Sequence, residues 1–323
     1  MTPTPVRFIQ VPRPAGEDAG AELASGLLQR PATVAPKYFY DRLGSALFAA
    51  ITELPEYYPT RTEAAIFAAH QADMAAALTA HVGARCTLVD LGAGDGAKAA
   101  RLFAALRPAR YVAVDISVDF MQDALRGLQQ RFPAIEMVGV GLDFSLQLDL
   151  PAGVLDGPAL LFYPGSSIGN FGPAAALRLL RQARAAAPGG ALLIGVDLVK
   201  PREVLEAAYD DALGVTAAFN LNLLRHANRV LGSDFDVRNW RHVAFFDTEA
   251  SRIEMHLEAR RAHTVRWPSG ERRFDGGERI HTEHSYKWTR AGFEALLGDA
   301  GYSGVRTWTD ERGWFAVMLA LAG

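Results

Sequence analysis

Cysteine is almost missing from this chain: Cys86 is the one example in 323 residues. No disulfide can form within the chain, and a cysteine-rich metal site is not expected. Cys86 itself is expected to pack as a small apolar residue in a strand. An excess of charge is missing too, with 33 Lys and Arg against 36 Asp and Glu. That near balance leaves no electrostatic footprint for nucleic acid or an anionic membrane surface. No uninterrupted apolar run reaches the roughly 18 residues that a membrane-spanning helix needs. The opening stretch MTPTPVRFIQVPRPAGEDAG lacks a charged segment followed by an apolar one, so a secretory signal is not expected. Internal repeats and low-complexity linkers are absent as well. These absences lead us to expect a soluble cytoplasmic protein, and the lack of a long exposed apolar run favours a monomer. What the chain does have is apolar mass: half its residues, enough for one large α/β domain or two smaller ones.

Residues 58–81 predict a helix, with Thr60 and Glu63 at capping-box spacing and a stripe of Ile66, Phe67, His70, Met74 and Leu78. His70 on that stripe reads as a packing residue. From residue 86 the rhythm changes. CTLVDL is a short buried-type strand, followed by the turn GAGDG and the helix AKAARLFAALR. RYVAVD, EMVGVGL, ALLFY and ALLIGVDLV are further strands. Two more helices lie among them, one capped by Ser117. Strands alternating with helices at this spacing predict a parallel, doubly wound sheet. Residues from about 200 to 285 break the alternation: a helical stretch holding Tyr209 is followed by segments that read as antiparallel strands. After them come a helix and a terminal hairpin. The chain is expected to leave the α/β domain, build a lid or substrate region, and return.

The glycines of VDLGAGDGAK stand at 92, 94 and 96, with Ala97 where a dinucleotide fingerprint has its third glycine. The looser fingerprint permits alanine, so NAD stays open. The tighter Gly92–Gly96 turn, with Asp90 two residues ahead, resembles motif I of class I S-adenosylmethionine (SAM) methyltransferases. Bare backbone there lets a cofactor lie close. Asp115 ends the second strand, where a carboxylate can accept from both ribose hydroxyls; it could instead cap the next helix. Asp143 and Phe144 follow the third strand and suit an adenine edge and face.

PKYFYDRLGSALFAAITELPEYYPTRTEAAI (36–66) resembles the EgtD family of histidine N-alpha-methyltransferases, which make hercynine on the way to ergothioneine. YPGSSIGNF (163–171), DLVK (197–200), YDDALGVTAAFN (209–220), RIEMHLEAR (252–260) and TEHSYKW (282–288) resemble further family segments in order. The resemblance implies an α/β enzyme of two domains, with histidine held between them. A SAM-binding methyltransferase domain would cover 60–199 and 286–323, and a smaller α+β substrate-binding domain 1–59 and 200–285. It implies SAM as cofactor, S-adenosylhomocysteine as product and no metal. Gly92, Gly94, Lys98, Asp115, Asp143 and Phe144 are similar to the family's SAM contacts. Asn170 and Tyr209 match its clamp on the substrate carboxylate, Tyr57, Glu283 and Ser285 its imidazole contacts, and Met255 an apolar wall. Tyr40 matches the residue near the substrate amine, with Gly165 on the same wall; Tyr40 and Asn170 are the catalytic candidates. The glycine loop departs from the family, which often has a serine and fewer glycines there.

Each of these residues also has a plainer reading. IHTEHSYKW (280–288), taken as a strand, puts His281, Glu283, Ser285 and Lys287 on one face, which could simply be wet. Lys287 and His281 read as solvent-facing or structural. His281 and His284 differ in parity, so a metal site there is not expected. Tyr57, Tyr58 and Tyr209 could be core aromatics, Tyr209 on a helix. Asn170 could be a turn residue. Three other functions fit parts of the pattern: methylation of another small amine, a nicotinamide-dependent oxidation, or SAM sensing without turnover.

Overall fold

A computed structural model describes residues 5–12, 18–116, 118–155 and 157–323; the Ser117 cap lies outside the described residues. The chain begins β1 (Arg7–Gln10), α1 (Ala19–Leu28), β2 (Ala32–Thr33), α2 (Arg42–Thr52), α3 (Tyr58–Val82). It continues β3 (Thr87–Leu91), α4 (Ala97–Ala100), α5 (Phe103–Leu106), β4 (Arg110–Asp115), α6 (Val118–Arg131), β5 (Glu136–Gly141), β6 (Ala159–Tyr163), α7 (Pro173–Ala186), β7 (Ala191–Asp197). Then come α8 (Arg202–Ala207), α9 (Val215–Leu231), β8 (Trp240–Asp247), β9 (Arg252–Ala259), β10 (His263–Trp267), β11 (Gly270–Phe274) and β12 (Arg279–Tyr286). The last elements are α10 (Arg290–Asp299), β13 (Ser303–Thr309) and β14 (Phe315–Leu321). Two compact units result: Met1–Arg13, Thr62–Leu198 and Trp288–Gly323 form one, Pro14–Arg61 and Val199–Lys287 the other.

The first unit is an eight-stranded sheet in the order β1-β5-β4-β3-β6-β7-β14-β13. Strands β1 and β3 to β7 run parallel and β14 enters antiparallel beside β7. Period two divides the side chains of these strands between two cores. Val89, Val112, Val138, Leu161 and Ile194 point to one face, where they meet Leu179 and Leu180 of α7 and Phe293 of α10. Leu88, Tyr111, Met137, Phe162 and Leu193 point to the other, against Ile66, Met74 and Leu78 of α3 and Leu125 of α6. A sheet covered on both faces reads as continuous apolar strands, which is why β3 to β7 are visible in the sequence. The result is the class I SAM-methyltransferase arrangement, a doubly wound sheet closed by an antiparallel terminal hairpin.

Several expectations need correction. β1 pairs in parallel with β5, so residues 7–10 stand with the large sheet and not with the substrate-binding unit expected for 1–59. Helix α3 begins at Tyr58, which puts Thr60 inside the first turn and not at a cap. The single helix expected over 97–107 is two short pieces, the second ended by Arg107 in the left-handed region. Cys86 is buried, one residue before β3.

The second unit is built on a four-stranded sheet, β2-β12-β9-β8, with the β10–β11 hairpin beside it. β9 is antiparallel to both β8 and β12, while β2 joins β12 in parallel. α9 packs against α1, α2, β8 and β9. Asp211 opens α9 by accepting from the Val215 and Thr216 backbone N–H groups at 2.9 and 2.7 Å. Burial works to raise the Asp211 pKa, but those bonds outweigh it and hold the carboxyl below its usual value. Phe219 of α9 stacks on Phe39 at 4.6 Å between centroids.

β12 departs from strict alternation. His281 pairs with His256 but Glu283 pairs with Met255, so Thr282 is an inserted residue, a β-bulge. The Thr282 hydroxyl donates to the Met255 carbonyl at 3.0 Å, satisfying an acceptor at the break in the ladder. After the bulge, Glu283 and Ser285 share the face of Met255 and Ile253. His281 is on the opposite face, with His256 and Glu254. It stacks on His284 at 5.6 Å despite their difference in parity.

Candidate active site

In the first unit the glycine loop leaves the carboxyl end of β3, where ligands of parallel sheets bind. Its first two N–H groups, from Gly92 and Ala93, both donate to the Val114 carbonyl, at 2.8 and 3.1 Å. Gly92 and Gly94 have φ of +73° and +55°, which side-chain-bearing residues adopt rarely. A Cβ on Gly94 would meet nothing within 4 Å, so the loop is open there. The Gly94 N–H donates to Oδ2 of Asp115 at 3.0 Å. One carboxylate therefore ties the loop to the end of β4. The Phe144 ring edge comes within 3.9 Å of where a Gly92 Cβ would lie, and the ring packs edge-on to Tyr163. Asp143 accepts from the Ser145 N–H at 3.2 Å. A bare backbone cradle, a carboxylate at the next strand end and an aromatic ring beside the loop fit a nucleoside with an amino-acid tail, as in SAM.

Asp90, beneath the loop, is 1% exposed. Burial pushes its carboxyl up to about 7, against the hydrogen bond donated by Tyr111 at 2.8 Å.

Glu63 is the functional residue that sequence reasoning missed. It is 1% exposed, and its two oxygens take two different donors. Lys98 Nζ donates to Oε2 at 2.8 Å, and the Gly165 N–H to Oε1 at 2.7 Å. A Cβ on Gly195 would lie 2.1 Å from Oε1, so the neighbouring strand must be bare there. Glu63 thus ties the lysine of the glycine loop to the turn after β6. That turn runs through Gly165 into a 3-10 helix, Ser167–Asn170, ending at half-buried Asn170. Ser166 has φ +57°, a costly position for serine, and its Oγ is held by the Asp197 N–H at 2.8 Å. The one available signal was Glu63 itself: an acidic residue on the buried stripe, two residues from the arginine that precedes it.

The second unit has its own hollow, an empty volume of about 310 Å³. Tyr40, Tyr57, Tyr209, Met255 and Glu283 all line it, so the structure brings together five of the expected substrate residues. Phe48, Ile51 and Phe219 complete its apolar wall. The Tyr40 ring meets Phe48 and Phe219 edge-on at 5.7 and 5.8 Å. Tyr57 meets Phe48 and Tyr209 in the same way. Burial in this apolar setting lifts the Glu283 carboxyl from 4.5 to about 7, although the positive charge of Lys287 opposes it. Tyr209 lies in the turn after α8 and not on a helix, and its hydroxyl is 2.9 Å from Ser285 Oγ. Lys287, read as solvent-facing or structural, is 3% exposed. Its ammonium donates to Ser285 Oγ at 2.8 Å and to the Tyr209 hydroxyl at 3.1 Å.

The outer face of this sheet carries a different cluster. His256 shares 2.8 Å with Glu254 and stacks on Phe245, with His281 and His284 beside it. Burial, then the positive charge of His256 and His284, pushes His281 down to about 4. Among the described residues no group of His, Cys, Asp or Glu is placed to hold a metal ion.

A larger hollow of about 820 Å³ in the first unit is lined by residues 147–155 and the end of α7. Arg110, which opens β4, donates to Gly153 and Val154 carbonyls in that segment, so this hollow lies at the amino ends of the strands, away from the glycine loop.

Sheet order, terminal hairpin and glycine cradle define a class I SAM-dependent methyltransferase. The comparisons narrow this. Residues 19–322 match the family described as histidine-specific, SAM-dependent methyltransferase. The chain is 40% identical over 314 residues to the histidine N-alpha-methyltransferase of Mycolicibacterium smegmatis, covering 95% of this chain and 96% of that protein. It is 41% identical over 318 residues to the histidine N-alpha-methyltransferase of Mycobacterium tuberculosis, covering 94% and 97%. An N-methyltransferase of Aspergillus fumigatus is 31% identical over 296 residues, covering 88% and 78%. The chain belongs to the histidine-specific, SAM-dependent methyltransferase family.

Proposed function

We propose that this protein transfers three methyl groups in succession from SAM to the α-amine of L-histidine, giving hercynine, a step toward ergothioneine. The observation that carries the substrate is the small hollow of the second unit, where one carboxyl sits among tyrosine and phenylalanine edges. An imidazole offers a ring N–H and a lone pair, and it needs an acceptor and a donor within a flat apolar slot. Glu283 supplies the acceptor and Ser285 the donor, with Met255, Tyr57 and Phe48 as walls.

SAM, when bound, supplies a methyl group activated by a sulfonium. Gly92 and Gly94 would cradle it, Asp115 would accept from its ribose, Asp143 and Phe144 would meet its adenine, and Lys98 would meet its carboxylate. Asn170 and Tyr209 are assigned to the histidine carboxylate, and Gly165 to the wall beside the amine. The amine must be neutral to attack, whereas a free α-amine is largely protonated near neutrality. Transfer out of water disfavours the cation, so a strong base is not required, and the Tyr40 hydroxyl is assigned to pass the proton outward. After three transfers the nitrogen has neither proton nor lone pair, and the reaction ends.

The balanced charge and the lack, among the described residues, of a helix able to cross a membrane support a small-molecule enzyme acting apart from nucleic acid and lipid. We assign it to the cytoplasm as a monomer. Mass spectrometry of histidine incubated with SAM and the protein should show three added methyl groups. Unmodified histidine, or faster methylation of another amino acid offered in competition, would overturn the assignment.

A further inference from the structure

Tyr209 is assigned to the substrate carboxylate, yet it stands in the turn between α8 and α9. Connecting segments are more mobile than the elements they join, so something has to hold this one. A chain of buried polar groups in the second unit does so. His242 of β8 has a side chain only 3% exposed, and its Nε2 is 2.9 Å from the Tyr209 carbonyl. Its Nδ1 is 2.8 Å from Nδ2 of Asn220. Asn220 is fully buried on α9, beside Phe219 and one turn after Thr216, and both of those line the hollow. The same Asn220 Nδ2 lies 3.0 Å from the His256 carbonyl on β9.

An imidazole and an amide can each be oriented two ways, but the carbonyls at the two ends of this chain leave one. A carbonyl only accepts, so the Asn220 group facing His256 is the NH2 and donates. That group also faces His242 Nδ1, which must therefore be the bare nitrogen and accept. The ring proton is then on Nε2, where the Tyr209 carbonyl takes it. Turning the Asn220 amide over would set its oxygen against the His256 carbonyl. Moving the ring proton to Nδ1 would set a lone pair against the Tyr209 carbonyl. Asp210 Oδ1 is 3.9 Å from Nε2, too far to compete for the proton. Burial lowers the His242 pKa, against the bond to Tyr209 and the charges of Asp210 and Asp211. The ring is thus kept neutral, as an accepting Nδ1 requires.

We propose that Asn220 holds His242 in its Nε2–H tautomer, and that His242 in turn positions Tyr209 for the carboxylate of histidine. This deepens the histidine reading and rests on it. The Tyr209 N–H donates to the Glu206 carbonyl, so the residue is tied at its nitrogen to α8 and at its carbonyl to β8. His242 is not among the residues that line the hollow. It is a positioning residue, acting through the backbone of a residue whose ring does line it.

The test measures KM and kcat for histidine, and KM for SAM, in wild type, His242→Phe, His242→Gln, Asn220→Leu and the variant with both His242→Phe and Asn220→Leu. Phenylalanine keeps a ring but has no donor. It should raise the histidine KM about tenfold, the effect of one lost hydrogen bond, and leave the SAM KM within about twofold. Glutamine can offer an amide NH2 to the Tyr209 carbonyl, so His242→Gln should stay within about threefold of wild type. Asn220→Leu should raise the histidine KM, and the double variant should lose no more than His242→Phe alone. In wild type carrying ¹⁵N-labelled histidine, the nuclear magnetic resonance signal that His242→Gln lacks should show a bare Nδ1 and a protonated Nε2. An unchanged histidine KM in His242→Phe, a glutamine variant as impaired as the phenylalanine one, losses that multiply in the double variant, or a proton on Nδ1 would each overturn the proposal. Should His242→Phe fail to fold, the tautomer and Asn220→Leu decide, and an unchanged histidine KM in Asn220→Leu overturns it. A wild-type protein inactive on histidine defeats the substrate assignment and this inference with it. An active wild type with the wrong tautomer, or with a histidine KM indifferent to His242, defeats only this inference.

Discussion

Replacing Glu63 by glutamine tests whether one buried carboxylate organises the glycine loop and the β6 turn together. Glutamine keeps a carbonyl that can accept from the Gly165 N–H, but it removes the charge that holds Lys98 at 2.8 Å. A bond between a charged donor and a charged acceptor contributes roughly 1.5 to 3 kcal/mol. The Lys98 side chain is 38% exposed, so water recovers part of that loss, and about 1.5 kcal/mol is expected. Glu63→Ala removes the acceptor for Gly165 as well, and a buried N–H left without a partner adds about 1 to 3 kcal/mol. Urea denaturation should therefore rank wild type above Glu63→Gln and Glu63→Gln above Glu63→Ala. Titration calorimetry with SAM should show about a tenfold loss of affinity in Glu63→Gln, because Lys98 is no longer held. Equal stability of the two variants would refute the Gly165 tether. Unchanged SAM affinity in both would refute the link from Glu63 through Lys98 to the cofactor.

Three further outcomes follow from the same geometry. Asp115→Ala should weaken SAM binding and loosen the loop at Gly94; calorimetry returning the wild-type affinity would remove Asp115 from the ribose. Asn170→Ala should raise the histidine KM by the equivalent of about 1 to 3 kcal/mol, the cost of an unpaired charged partner, and an unaltered KM would count against the carboxylate clamp. Glu283 has a folded-state pKa of about 7 against an ordinary 4.5, so between those values the folded protein holds a proton that the unfolded chain has released. Stability should fall as pH rises through that window, by at most about 3 kcal/mol for Glu283 at 1.36 kcal/mol per unit, with Asp90 contributing in the same sense. Glu283→Gln should flatten part of that slope in urea titrations at pH 5 and pH 8, and an identical slope would show that the carboxyl is not desolvated.

The legible parts of this molecule are those where one physical constraint acts alone. β3 to β7 are buried on both faces, so each is a short apolar run that nothing else explains. The glycine loop is visible because its backbone conformation admits few residues. β1 is four residues, RFIQ, among prolines, and only its partner β5 makes it a strand. Glu63 stands three residues after Thr60, and local spacing imitates a helix cap when the carboxylate is committed to distant partners. Strand parity left Lys287 as solvent-facing or structural, because one of the hydroxyls that accept from it, Tyr209, is far away in the chain. The faces of β12 were assigned by parity, and a bulge leaves no mark in composition.

The extra residue at Thr282 puts the two halves of β12 out of phase. The part before it answers to β2, through Ile280 and His281, and the part after it brings Glu283 to the hollow, with Ser285 on the same strand face. Shortening the strand by that one threonine would leave a regular ladder and a plausible sheet. It would also rotate either the carboxyl and hydroxyl or the β2 contact to the wrong side. A length change that costs the scaffold little would thus turn away the surface proposed to read the ring, and on that proposal the spacing along this strand carries information that no single side chain holds.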